Sequence, residues 1–487
     1  MPPTSTNPDI ALIERAFDQK RQELGVRTAF PDEVLRAADE AAKRDPTTAP
    51  GRVDRTAVEL VTIDPPGSRD LDQALCIEQH EGGFRVWYAI ADVGFWVDRG
   101  GPIEREAWLR GVTMYAPDHR DTLYPPRLSE GAASLLPDGV KPSILFAFEL
   151  DARAEIVSFT VERALVRSRA QLTYEQVLEH VEGGGKKFAG RPWAGSLTAL
   201  KAFGEQRRER EIERGGVSLP LLTQHVQRVA AAKLGYELEY EKPNASEDWN
   251  AQVSLLTGHA AALRMVEAKV GILRVLPATD EGAIDTFRRV AKGLGFTWPP
   301  EMDYAAFIRS IDVYAPNAAA LVWQAKRVMK GADYVAFGGA VPPDPEHHAL
   351  AMVYAHCTAP LRRLADRYVL DLVAELAAGE QPPAGERARL PEVAKTMNEM
   401  ETRDARLERA VVNVAEAWTL RSRIGESFRA TVLGIRNGKV EVQIEDPPVR
   451  AEATRGAHAK WLDLGAHVQV RLTAVEVETG KTHFELE

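Results

Sequence analysis

The stretch VTIDPPGSRDLDQAL, residues 61–75, decides how the rest of the chain is read. Its first residues form an apolar strand, and Pro65-Pro66-Gly67 turns the chain. Asp64, Asp70 and Asp72 then crowd three carboxylates into nine positions, with Gln73 next in line. Carboxylates this close repel, and a divalent cation compensates them. A strand end followed by a tight turn can converge the three side chains on one point, and hard oxygen donors of this kind suit Mg²⁺ or Mn²⁺. Ions held this way serve phosphodiester hydrolysis by preparing the attacking water and stabilising the leaving oxygen. A solvated turn, with Arg69 paired to one acid, fits the spacing equally well. An EF-hand does not, because Ala74 and Cys76 stand where ligands belong and no glutamate closes the loop.

Around this stretch the chain is 487 residues long, enough for two or three domains. Hydrophobic residues make up 45 % and charged residues 27 %, as in an ordinary soluble protein. Two cysteines, Cys76 and Cys357, give neither a disulfide framework nor a CxxC zinc pattern. With no signal-like N-terminus and no long apolar run, the expectation is a cytoplasmic protein away from membranes. The net charge of −10 argues mildly against nucleic-acid binding but leaves room for one arginine-lined channel.

Helices are expected over 7–24 and after Pro31, either as a helix-turn-helix or as a helical cap, with a linker at 44–52. Strand patterns follow from about 56, and helices dominate from Ser196. A long helix is expected to open at Pro391 and run to about Arg423. Residues 424–487 return to five short strands, two of them joined at Asn437-Gly438, which suits an OB-type barrel. Trp87, Trp96 and Trp418 lie in apolar runs and read as core.

The acidic loop does not stand alone. TIDPPGSRDLDQAL, YAIADVGFWVDRGGPIEREAWLRGVTMYAP, YPPRLSEGAASLLP, SRAQLTYEQV and HHALAMVYAHCTAPLRRLADRYV occur in that order. This series resembles the RNase II/RNase R (RNB) family of 3′→5′ exoribonucleases, and 424–487 resembles the S1 domain that follows in that family. The resemblance implies an α+β fold: an RNB catalytic domain at 56–423 with a mixed sheet surrounded by helices, an S1 OB-fold barrel at 424–487, and a helical N-terminal region at 1–55. It implies a monomer that threads single-stranded RNA by a free 3′ end and releases nucleoside 5′-monophosphates processively. By position, Asp64, Asp70, Asp72 and Gln73 would hold Mg²⁺ or Mn²⁺, with Asp72, Asp70 and Arg362 catalytic. Tyr115 would stack on the terminal base, and Arg362, Arg363, Glu408 and His347 would contact RNA. Arg362 and Arg363 could equally pair with Asp366 on the same helix.

Several positions depart from the family pattern. Gln73 replaces a fourth aspartate, Leu219 stands where a stacking phenylalanine is usual, and Ala251-Gln252 fall where an acid is expected. His356-Cys357-Thr358-Ala359 replaces His-Phe-Thr-Ser. About 55 residues precede the RNB segment where two cold-shock domains usually lead. The rival expectation is a catalytically inactive RNA-binding protein that keeps the channel and the S1 domain.

Overall fold

The computed structural model describes residues 8–217, 224–228, 235–240, 244–313, 315, 317–380, 383–436, 439–444, 446–447, 449–454 and 462–487. Leu219 and the Asn437-Gly438 turn lie outside the described residues.

The strand Gly83–Ala91 is the centre of the large domain's sheet. It pairs antiparallel with Gln73–His80 on one side, from Gln73↔Ile90 to His80↔Gly83, and with Lys141–Leu150 on the other. The full sheet has seven strands in the order Val53–Asp54, Ile156–Val166, Lys141–Leu150, Gly83–Ala91, Gln73–His80, Leu60–Ile63, Ser168–Leu172. Its inner pairs are antiparallel and its two edge pairs parallel, so the expected mixed sheet is observed. Lys141–Leu150 is buried along almost its whole length, and a strand covered on both faces reads as a near-continuous apolar run. The helix Ala194–Glu213 packs on Gln73–His80, and the helix Leu364–Ala377 packs on Ile156–Val166.

The two N-terminal helices span Pro8–Glu23 and Asp32–Ala41. The first packs against the long helix near the C-terminus and the second against Pro102–Arg110, so each is taken up by the large domain. Ile13, Phe17, Val34 and Ala38 join the same core as the sheet. The expected linker carries a 3₁₀ turn at Pro46–Thr48, with Asp45 accepting from the Thr47 amide. The long helix differs from the sequence reading. It runs Ala384–Leu420 and contains Pro391 instead of starting there. A proline two turns inside a helix forfeits one backbone hydrogen bond, and burial of the neighbouring Leu390 and Val393 offsets that loss.

Five strands, Ser427–Arg436, Lys439–Ile444, Arg450–Thr454, Lys481–Leu486 and His467–Glu476, close into a barrel with its own core of Phe428, Val432, Val442 and Phe484. A third core, from the helices Glu281–Gly293, Tyr304–Arg309 and Ala318–Val328, reaches the barrel through Leu433. Trp96 and Trp418 are core residues, as expected, and Trp87 is half-buried beneath Arg55. Among the described residues no helix is long and apolar enough to cross a membrane.

Candidate active site

The acidic stretch is set by one alternation. Leu71 is fully buried, its amide donates to Ser134 Oγ at 2.9 Å, and its carbonyl accepts from Leu135 N at 2.9 Å. In extended backbone the neighbours of a residue point the other way, so anchoring Leu71 puts Asp70 and Asp72 on one common face. Asp64 follows the strand Leu60–Ile63, and its amide continues the ladder to Leu172 O at 3.0 Å. Asp64 Oδ2 is buried and accepts no hydrogen bond. Burial, and then the charge of Asp70, push the Asp64 carboxyl up to about 7, against the pull of Arg362. Asp72 is pushed well above the usual carboxylate range, also by burial first, with Arg362 and the Leu361 amide opposing.

The segment 357–363 crosses over these acids. Leu361 N donates to Asp72 Oδ1 at 2.7 Å, and Arg362 Nε lies 4.0 Å from Asp72 Oδ2. The Arg362 side chain is 45 % exposed and open toward solvent. Arg363 is used differently. Its Nε and Nη2 donate to Asp366 at 2.7–3.1 Å, Asp366 has no exposed surface, and Asp366 Oδ2 also accepts from Ala359 N at 2.8 Å. Arg363 thus pins the start of the helix Leu364–Ala377 and does not face the acids as a free cation. Two glycines admit this segment. A Cβ at Gly258 would meet a Tyr354 ring carbon at 2.2 Å, and Gly111, at φ +67°, lets Leu364 N reach its carbonyl at 2.9 Å beside Met400.

Tyr115 stands on a short hairpin, Met114–Tyr115 paired with Arg120–Asp121. The chain arrives there after Thr113 N donates to Arg362 O at 2.9 Å, which ties this hairpin to the arginine segment. Tyr115 and Arg120 are directly opposed and so share a face. Arg120 Nη1 donates to Asp70 Oδ1 at 2.9 Å and Nη2 to Glu130 Oε1 at 3.1 Å. The Tyr115 residue is 45 % exposed, but its hydroxyl is pushed up to about 12 by desolvation, then by Asp70, with Arg362 opposing. Tyr115 is thus a half-exposed aromatic on the same hairpin face as Arg120.

The remaining expected residues fall elsewhere. Gln73 Oε1 accepts from Tyr88 Oη at 2.8 Å and Nε2 donates to the Thr358 carbonyl, so the side chain ties the strand to the 357–363 segment. Both ends of the Gln73 amide are in use. His347 packs edge-on to Tyr354, and its imidazole is pushed down to about 4 by burial, then by Arg274. Glu408 is exposed on the long helix and is felt by Asp404, not by the acidic cluster. Gln252, where the family acid was expected, donates to Glu211 at 3.0 Å. The sequence reading missed Arg120 and Tyr88. Arg120 was legible in principle, because the Pro117-Asp118 turn places it across from Tyr115.

The expected convergence of three carboxylates is not met: among the described residues no group of three or more His, Cys, Asp or Glu stands close enough to hold a metal ion, and Asp70 is turned to Arg120. The donor chemistry nevertheless suits a hard cation. Asp64 keeps a buried oxygen without a partner, and burial raises the carboxyls of both Asp64 and Asp72.

The RNB domain matches residues 52–379 and the RNase II-type exonuclease C-terminal S1 domain matches 426–487. The chain belongs to the RNB family. It is 27 % identical over 481 residues to ribonuclease R of Escherichia coli (strain K12), covering 90 % of this chain and 57 % of that protein. It is 25 % identical over 514 residues to ribonuclease R of Aquifex aeolicus, covering 97 % and 70 %. The chain thus spans little more than half the length of the Escherichia coli relative. Its fold matches the apo form of Mycoplasma genitalium RNase R with TM-score 0.86 at 18 % identity, over 99 % of this chain and 79 % of that one. Yeast Ssd1, a pseudonuclease, shares the fold with TM-score 0.71 at 16 % identity, over 96 % and 59 %.

Proposed function

We propose that this chain is a metal-dependent 3′→5′ exoribonuclease that degrades single-stranded RNA processively to nucleoside 5′-monophosphates. The observation that carries the reading is a half-exposed Arg362 held 4.0 Å from the buried Asp72, with Asp64 and its unpartnered buried oxygen within reach of the same arginine's charge. The relatives named ribonuclease R, and a Mycoplasma genitalium RNase R solved in complex with ribose-methylated single-stranded RNA, support it. Direction, processivity and product rest on membership of the family.

Asp64, Asp70 and Asp72 would hold a divalent cation, Mg²⁺ or Mn²⁺, which when bound supplies Lewis acidity toward the phosphate and a lowered pKa for water. The protein's own groups do the rest. Arg362 Nε and Nη donate to the scissile phosphate as charge builds on its oxygens, and a guanidinium fork suits that geometry. The Leu361 amide holds Asp72 in place. The Tyr115 ring offers a base a stacking surface, which is sequence-tolerant because every base has a π-face. Arg363 supports this arrangement through Asp366. The chain works as a monomer in the cytoplasm, and Glu408 and His347 lie outside the acidic cluster, so any contact they make is with RNA further along.

The test is a time course with 5′-labelled single-stranded RNA in Mg²⁺ or Mn²⁺, beside EDTA and Asp72→Asn. A ladder receding from the 3′ end, absent with EDTA and in the variant, supports the enzyme. Intact RNA with binding on a native gel would instead make the chain an RNA-binding relative of the pseudonuclease kind.

A further inference from the structure

The hairpin that carries Tyr115 and Arg120 has a second face. Met114 and Asp121 point away from the acids, and Asp118 sits at the tip. A two-residue-per-strand hairpin has little stability of its own. What grips its back is Arg21, from the N-terminal helix Pro8–Glu23, which is 1 % exposed. Arg21 Nη1 and Nη2 donate to the two oxygens of Asp118 at 2.9 and 2.5 Å, Nε donates to Asp121 Oδ2 at 3.1 Å, and Nη1 also donates to Asp18 at 2.8 Å. Every nitrogen of the fork is engaged, about one hundred residues away in sequence. The hairpin is thus held between two arginine clusters: Arg21 behind, and Arg120 with Asp70 and Glu130 in front. A neighbouring network fixes the same corner, with Arg110 donating to the carbonyls of Arg27, Ala29 and Thr122.

We propose that Arg21 is a positioning residue for the substrate's 3′-terminal base: by clamping the back of the hairpin it sets the Tyr115 ring against that base, making the N-terminal helix a working part of the RNA site. This rests on the reading of Tyr115 as the stacking residue. The fork is what matters. A lysine keeps the charge but cannot reproduce a bidentate grip on Asp118 together with the Nε bond to Asp121. A base–aromatic stack is worth a factor of about 5 to 150 in affinity, so loss of the setting has a readable size.

The experiment uses the full chain in EDTA, where no RNA is consumed. The probe is a short single-stranded RNA with 2-aminopurine as its 3′-terminal base, whose emission falls on stacking, and binding is followed by anisotropy of a 5′ dye. Arg21→Met, Tyr115→Ala and the double variant are compared, with circular dichroism and thermal melts to establish folding. The expected result is that Arg21→Met loses the quenching, and the terminal base's share of affinity, to the extent that Tyr115→Ala does. The double variant should lose no more. Folded Arg21→Met with wild-type quenching, or with a loss that adds to that of Tyr115→Ala, overturns the inference even if its melting point falls, since that is what a merely structural arginine would do. If Tyr115→Ala itself leaves quenching unchanged, the stacking reading fails and this inference fails with it. Should Arg21→Met not fold, Arg21→Lys carries the same comparison.

Discussion

Arg362 and Arg363 are adjacent in sequence, yet the structure predicts opposite phenotypes for their loss. Arg363→Ala would strand the Asp366 carboxylate, which has no exposed surface, with only the Ala359 amide for company. Breaking a buried pair from one side costs about 3–5 kcal/mol, because a charge stays behind in a poor dielectric. Arg362→Ala removes a half-exposed side chain whose nearest acid is 4.0 Å away, and contacts of that kind contribute at most about 1 kcal/mol. On the proposed reading it would also remove a donor to the scissile phosphate, and losing one such donor lowers turnover by a factor of about 10²–10³. The assay pairs urea denaturation with initial rates on single-stranded RNA, corrected for folded fraction. Arg362→Ala should be as stable as the parent and nearly inactive. Arg363→Ala should unfold at clearly lower urea, while its folded fraction, with Arg362 intact, keeps more of the parent's rate than Arg362→Ala does. The reasoning would be refuted by an Arg362→Ala protein retaining a tenth or more of the activity. An Arg363→Ala protein of unchanged stability would refute it equally.

Gln73→Asp, which restores the family's acid, should not raise activity. The shorter side chain cannot reach both Tyr88 and the Thr358 carbonyl, and the loss of those bonds should cost about 1–3 kcal/mol in urea denaturation. Asp404, on the long helix, has its carboxyl pushed up to about 6 by burial, then by Glu408 and Glu401. A raised acid binds its proton more tightly folded than unfolded, so its contribution is most favourable below about pH 4 and is lost as pH climbs through 6. Asp404→Asn should therefore stabilise by about 1–2 kcal/mol at pH 8 and hardly at all at pH 4, read by denaturation at both values. Mn²⁺ at about a hundred times its dissociation constant should stabilise the folded chain by about 2.7 kcal/mol. That gain should disappear with EDTA or in Asp64→Asn, as measured by thermal shift.

The parts of this site legible in the sequence are those whose chemistry is packed into a few consecutive residues. Asp64, Asp70 and Asp72 announce themselves by crowding, and alternation about the buried Leu71 explains why two of them share a face. The five ordered segments carried the fold, and the mixed sheet and closed barrel follow that expectation. What stayed hidden depends on partners far apart in the chain. Nothing near Arg363 shows that Asp366 is sealed from solvent, so two consecutive arginines read as equivalent until burial separates them. Pro391 looked like a helix start because local propensity is blind to the packing that carries the helix through it. Arg21 lay in a stretch that read only as a helix, and its partners Asp118 and Asp121 looked like ordinary turn acids. Only the fold brings them together behind Tyr115. A family likeness that begins near residue 56 would assign the first helix no part in the site. The long-range ion pairs draw the boundary elsewhere, because the hairpin facing the acids is braced from a helix that precedes the first of those motifs.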